Sequence, residues 1–261
     1  MLTMVSASTL VGTGRNLYDG HADLVTGCCS AARHASAING SLRFTFWCSV
    51  TERQPMTVSV DLTYPFTGRW IVQNSPATRV PSHGTDLFAT SYAIDFVPVD
   101  HTGRTAPITV MSLLRPEQPE HFPGFGRPIF APVDGIVVAA HDTEPDHAAY
   151  RGFPSISYAV TQRRRATAGW VALAGNHVFI EHEDVVIALC HLQHRSVQVS
   201  IGQQISAGHM LGRCGNSGNS TEPHLHVQAM DDRVVQHARA VPLRFNGALP
   251  KNGDIINVPG A

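Results

Sequence analysis

From Met56 onward, apolar and polar residues alternate in short runs broken by glycine, proline and asparagine. That period of two is the signature of strands with one buried face. Thr57–Leu62 shows it first, so the folded unit is expected to begin near Met56. Trp70–Asn74 reads as a short strand ended by Ser75-Pro76, and Tyr92–Val99 as another, with Asp95 set inside an apolar run. Ala131–Gly135 is a turn feeding a buried strand over Ile136–Ala140. His177–Glu181 and Val185–His191 read as two strands joined by the acidic turn Glu183-Asp184. Short strands punctuated by Gly202 and Gly208 follow up to Leu211, and His224–Gln228 forms the last. No segment carries a strong helical period, so the pattern predicts a mostly β fold with few helices.

The segments outside this pattern define the organisation. Residues 1–54 are rich in Ala, Ser, Gly and Thr, with one possible strand over Leu42–Val50, and are expected to be a poorly ordered N-terminal extension. The β domain is expected over 55–245, with insertions near 101–128 and 141–169, and a C-terminal tail over 246–261. The second insertion carries Arg163-Arg164-Arg165, which reads as a solvated face.

Composition narrows the function. With 19 basic and 20 acidic residues there is no bias toward nucleic acid or an anionic membrane. Gly 22 and Pro 17 suit a turn-rich β protein. No apolar run reaches the length of a membrane span. No basic residue precedes Arg15, so the N-terminus does not read as a secretory signal, and the chain is expected to be cytoplasmic. The five cysteines have no regular spacing and no CxxC pair, which argues against a disulfide framework or a cysteine-based zinc site. Nothing in the sequence sets an oligomeric state.

The chemistry concentrates in Gly215–His226, a Gly/Asn/Ser loop that runs through Pro223 into His224-Leu225-His226. On a strand, alternate side chains leave one face, so two such histidines sit roughly 6–7 Å apart. One can bind a metal while the other reaches a substrate beside it. A hydrolytic zinc site needs three protein ligands and an open position. Asp95 is a candidate, because a carboxylate buried in an apolar strand needs a partner. His83, in Ser82-His83-Gly84-Thr85, is the nearest upstream histidine, and His191 ends an apolar strand.

Taken in order, these elements resemble the M23 family, the lysostaphin/LytM type of zinc metallopeptidase. The resemblance is carried by Asn176–His182, Cys190-His191-Leu192, the glycines at 202, 208 and 212, and Gly215–His226. Ala131-Pro132-Val133-Asp134-Gly135 resembles a further turn of that family. It implies a two-layer antiparallel β-sheet groove of the duplicated hybrid motif type. It implies one zinc ion per chain held by His83, Asp95 and His226. His191 and His224 would be the catalytic histidines that orient a water, move its proton and stabilise the oxyanion. The first ligand departs from the usual His-x-x-x-Asp spacing, since Ser91 stands four residues before Asp95. The implied activity is a zinc metalloendopeptidase acting on peptide bonds of peptidoglycan stems or cross-bridges, in a family that is usually exported to the cell envelope.

Three other readings compete. An M23-like binding or regulatory module without activity would follow from loss of the first ligand. A phosphocarrier of the hybrid-motif type could use a histidine pair, but has no need of Asp95. A serine hydrolase at Ser217 or Ser220 lacks the Gly-x-Ser-x-Gly spacing.

Overall fold

The computed structural model describes residues 34–38, 41–45, 59–107, 109–155 and 169–260. The chain divides into two compact units, Met1–Pro55 and Met56–Ala261. In the first, β1 (His34–Ile38) and β2 (Ser41–Thr45) form an antiparallel hairpin. The rest of the expected N-terminal extension, Thr57-Val58 and the arginine triplet lie outside the described residues.

The second unit contains β3 (Val60–Leu62), β4 (Gly68–Gln73), β5 (Ile94–Pro98), α1 (Val110–Leu114), β6 (Pro128–Phe130) and β7 (Gly135–His141). After these come α2 (Trp170–Ala174), β8 (Asn176–His182), β9 (Val185–Leu192), β10 (Gln204–Ile205) and β11 (Met210–Arg213). The chain ends with β12 (Leu225–Met230), β13 (Ala240–Val241), β14 (Leu243–Phe245) and β15 (Ile255–Val258). Nine strands make one antiparallel sheet in the order β10-β7-β8-β9-β12-β5-β4-β15, with β13 also paired to β12. Two ribbons complete the unit: antiparallel β6–β11 and parallel β3–β14.

Alternation along the strands sorts side chains onto two faces. Ile94, Phe96, Val178, Ile180, Ile187, Leu189, Leu225 and Val227 point to the face covered by the ribbons, where Leu62, Ile129, Leu211 and Phe245 meet them. At about 1.5–3 kcal/mol per fully buried large apolar side chain, this layer is the main source of stability. Phe66, Trp70 and Phe96 anchor it, with Phe66 and Trp70 stacked at a centroid distance of 4.4 Å. The opposite face buries Phe179, Val186, Ala188, Cys190 and Met230 under α2. Burial on both faces explains why β5, β9 and β12 are continuously buried rather than alternately exposed.

Two expectations need correction. Residues 246–261 are not a tail beside the fold, because Ile255–Val258 pairs antiparallel with β4 as the sheet's edge strand. The strand expected over His224–Gln228 begins at Leu225, one residue after His224, so His224 stands at its entrance. Cys190 and Cys214 are fully buried, and burial pushes both thiols far above the usual range, as expected for inert core residues.

Candidate metal centre

The second face of the sheet turns polar at one end, and register explains where. Asp95 on β5 is paired with His226 on β12, and His226 with Cys190 on β9. Because Ile94 and Phe96 occupy the core face, Asp95 must leave the other one, as must His226 between Leu225 and Val227. Neighbouring strands lie about 4.8 Å apart, so the two side chains meet directly. Asp95 Oδ1 stands 2.9 Å from His226 Nδ1.

His83 enters from the loop between β4 and β5. Its Nε2 lies 3.1 Å from Asp95 Oδ2, so the chain between them folds His83, twelve positions upstream, back onto the carboxylate. His83, Asp95 and His226 together offer three ligand atoms within 4.8 Å of one another. His224 Nε2 comes to 3.8 Å of Asp95 Oδ1.

His191 reaches the same place through a β-bulge. Between β8 and β9 the register moves from Asn176–Leu192 to Val178–Leu189, which leaves one extra residue on β9. Leu189 and Leu192 both lie in the main core. The two residues between them, Cys190 and His191, both line the polar cavity. The backbone accommodates this by placing His191 at φ 63°. A non-glycine residue in that region stores about 1–3 kcal/mol of strain. The bulge thus turns a ring that strict alternation would bury in the core toward His224, with centroids 4.6 Å apart.

The outer nitrogen of each ring is fixed by a group whose role is unambiguous. Gln228 Nε2 donates to the Phe88 carbonyl, so its Oε1 faces His226 and accepts from Nε2–H. Ser82 Oγ donates to the Thr90 carbonyl and accepts from His83 Nδ1–H. Both rings therefore present a bare nitrogen to Asp95 unless a second proton or a cation intervenes. His191 Nδ1–H donates to the Ser217 carbonyl, and His224 Nδ1–H to the Glu222 carbonyl. Their Nε2 atoms are thereby left as proton acceptors.

Asp95 also accepts from Asn74 Nδ2 at 2.7 Å. Burial alone would raise its pKa, but when the surrounding rings carry a second proton, the charge on His83 and His224 and the hydrogen bonds that His226 and His83 then donate hold it well below the carboxylate range. Burial drives the His191 pKa well down, helped by the facing His224 and His226 rings and opposed by Asp95 and the Ser217 hydrogen bond.

The Gly215–Ser220 loop is a scaffold. A side chain at Gly215 would strike the Gln193 backbone, and one at Gly218, at φ +72°, would strike the Gly175 backbone. Ser217 Oγ donates to the Leu192 carbonyl and accepts from Asn176 N–H, while Ser220 Oγ donates to the Glu222 carbonyl. Neither hydroxyl is poised as a nucleophile. A strap from the second insertion clamps this loop. Asp146 accepts from the backbone N–H of both Asn216 and His194, and Asn216 Nδ2 donates to the His147 carbonyl.

All five sequence-predicted site residues thus converge on one cavity. Gln228, Ser82, Asn74 and Asp146 were not among them. Gln228 carried a usable signal, since it stands two residues after His226 and so on the same face of one strand. The others show no spacing rule.

Residues 122–238 match the sequence model of peptidase family M23. The glycyl-glycine endopeptidase ALE-1 of Staphylococcus capitis is 28% identical over 88 residues, which are 33% of this chain and 24% of that protein. The peptidoglycan DD-endopeptidase ShyC of Vibrio cholerae is 34% identical over 70 residues, 26% of this chain and 16% of that protein. The match therefore spans a quarter or less of the length of these curated relatives. Among solved structures, the catalytic domain of lysostaphin from Staphylococcus simulans covers 69% of this chain and 87% of its own at 17% identity, with a TM-score of 0.34. No helix among the described residues is long and apolar enough to cross a membrane.

Proposed function

We propose that this chain, whose residues 122–238 match the sequence model of peptidase family M23, is a zinc metalloendopeptidase whose substrate is a peptide of the peptidoglycan type. The observation that carries the zinc reading is the Asp95 pair of contacts. Two neutral imidazoles, each with its proton committed outward, would aim lone pairs at one buried carboxylate. Three acceptors converging in a buried site call for a cation. Two histidines and one carboxylate are a donor set that suits catalytic zinc, with outer partners that fix each ring.

Zinc bound there supplies a Lewis acid that polarises the scissile carbonyl and lowers the pKa of a water. The chain's own residues do the rest. Asn74 and the two outer partners keep Asp95, His83 and His226 oriented. His224, with Nδ1–H on the Glu222 carbonyl, offers Nε2 to take a proton from the attacking water and return it to the leaving amine. His191, held on the Ser217 carbonyl, offers a second acceptor nitrogen beside it that orients the attacking water. The endopeptidase reading is supported by the names of ALE-1 and ShyC, and the peptidoglycan reading by that of ShyC.

The test combines metal analysis with hydrolysis. Purified protein should hold one equivalent of zinc and cleave peptidoglycan peptides, and a chelator should abolish cleavage until zinc is returned. His83→Ala should lose zinc. His224→Ala should keep zinc and lose about 10²- to 10⁴-fold in kcat. Full zinc occupancy with no cleavage of any cell-wall peptide would favour the binding-module reading, and no zinc in the wild type would overturn the proposal.

A further inference from the structure

The cavity beside the metal centre has a volume of 340 Å³ and two unlike walls. One is the polar cluster already described. The other is formed by Leu87, Phe88, Trp170, Leu173 and Ala174. Among the described residues no lysine or arginine lines the cavity, and Asp95 is its only carboxylate. Leu87 is 59% exposed at the rim, although a leucine there covers no core.

The backbone shows that this wall is built rather than incidental. Phe88 and Ala89 both adopt left-handed backbone conformations, at φ 57° and 59°. Such strain persists only where the surroundings enforce it, and it clusters at ligand clamps. Here it places the Phe88 ring 5.8 Å from the Trp170 ring and hands the Phe88 carbonyl to Gln228. Trp170 adds bulk to the same wall, since the residue is only 9% exposed and its indole Nε1 is enclosed within the protein.

We infer that this wall is a specificity subsite for an uncharged, apolar residue next to the scissile bond. In it Leu87, Phe88, Leu173 and the Trp170 ring receive the side chain. The inference rests on the peptidase reading for the position of the scissile bond. A charged side chain at that position would lose its hydration against Phe88 and Trp170 with no opposite charge to meet it.

The experiment uses zinc-loaded full chain and pairs of peptides that differ at one residue flanking the cleaved bond, Ala or Leu against Glu or Lys. The wild type should prefer the apolar member by at least about tenfold in kcat/KM, as expected from an unpaired buried charge. Leu87→Glu lies at the exposed rim, where it should not disturb folding, and should shift the preference toward the Lys peptide. Equal rates on all four peptides, or an unchanged preference in Leu87→Glu, would overturn the inference. If the wild type cleaves none of them, the peptidase reading fails instead. Calorimetric binding of the same peptides to wild type and Leu87→Glu then decides the subsite alone: an apolar preference that the variant shifts toward the Lys peptide supports it, and equal binding refutes it.

Discussion

At the scale of single residues, the metal centre depends on groups that never touch the metal position. Gln228 is the clearest case. Its amide is oriented by the Phe88 carbonyl, and it in turn commits the His226 proton outward. Gln228→Ala should therefore weaken zinc binding by about 10- to 100-fold, measured by competition with a chromophoric chelator, while Gln228→Glu, which keeps an acceptor, should lose much less. Asp95 supplies a pH prediction. Its folded pKa lies well below the ordinary value, so in metal-free protein its contribution to stability is complete above the unfolded value of about 3.9. That contribution is lost as pH falls from there through the folded value. Denaturant unfolding of metal-free protein should show a falling midpoint over that acidic range, and Asp95→Asn should flatten it. The contrast between these two residues shows what can be read from a sequence. Asp95 stood out because a carboxylate in a buried strand violates a simple expectation. Gln228, Ser82 and Asn74 are ordinary polar residues whose importance comes only from which carbonyl or carboxylate lies opposite them.

At the scale of elements, the strands were legible because alternation and burial act locally, but the devices that bend them were not. His191 could be placed at the end of β9, whereas the bulge that turns it toward His224 is a register event between two strands, with no local signature in Ala188–Leu192. The second insertion is similar. It interrupted the β pattern and suggested only a surface loop. Its first part is a strap: Asp146 holds the backbone N–H of Asn216 at 2.7 Å and of His194 at 2.9 Å. Through Asn216 it steadies Ser217, whose carbonyl fixes the His191 ring. Asp146→Ala should leave two N–H groups short of an acceptor and lower stability by about 1–3 kcal/mol, seen by urea unfolding. It should also reduce kcat more than it raises KM, because the lost restraint acts on a catalytic ring rather than on the substrate wall. A purely structural role would lower stability without that split.

At the scale of the molecule, the sheet transmits order from its edge to the metal centre. Ile255–Val258 closes the edge along β4, and the segment before it is tied to the end of the same strand. Ser75 Oγ donates to the Pro250 carbonyl and Ser75 N–H to Asn252 Oδ1, while Val72 N–H donates to the Asp254 carbonyl. Between Val72 and Ser75 stands Asn74, at φ 48°, whose amide donates to Asp95. A left-handed asparagine is held there only while both flanking residues are pinned. Removing residues 250–261 should thus do two things. It should expose the β4 edge and lower the urea midpoint of metal-free protein. It should also weaken zinc binding, although no removed residue touches His83, Asp95 or His226. The route can be isolated by a double-mutant cycle on zinc affinity. Asn74→Ala should weaken binding in the full chain and add little in the truncated one. Additive losses would mean that the C-terminal strand and Asn74 act separately, and that the edge of the sheet stabilises the fold without tuning the metal centre.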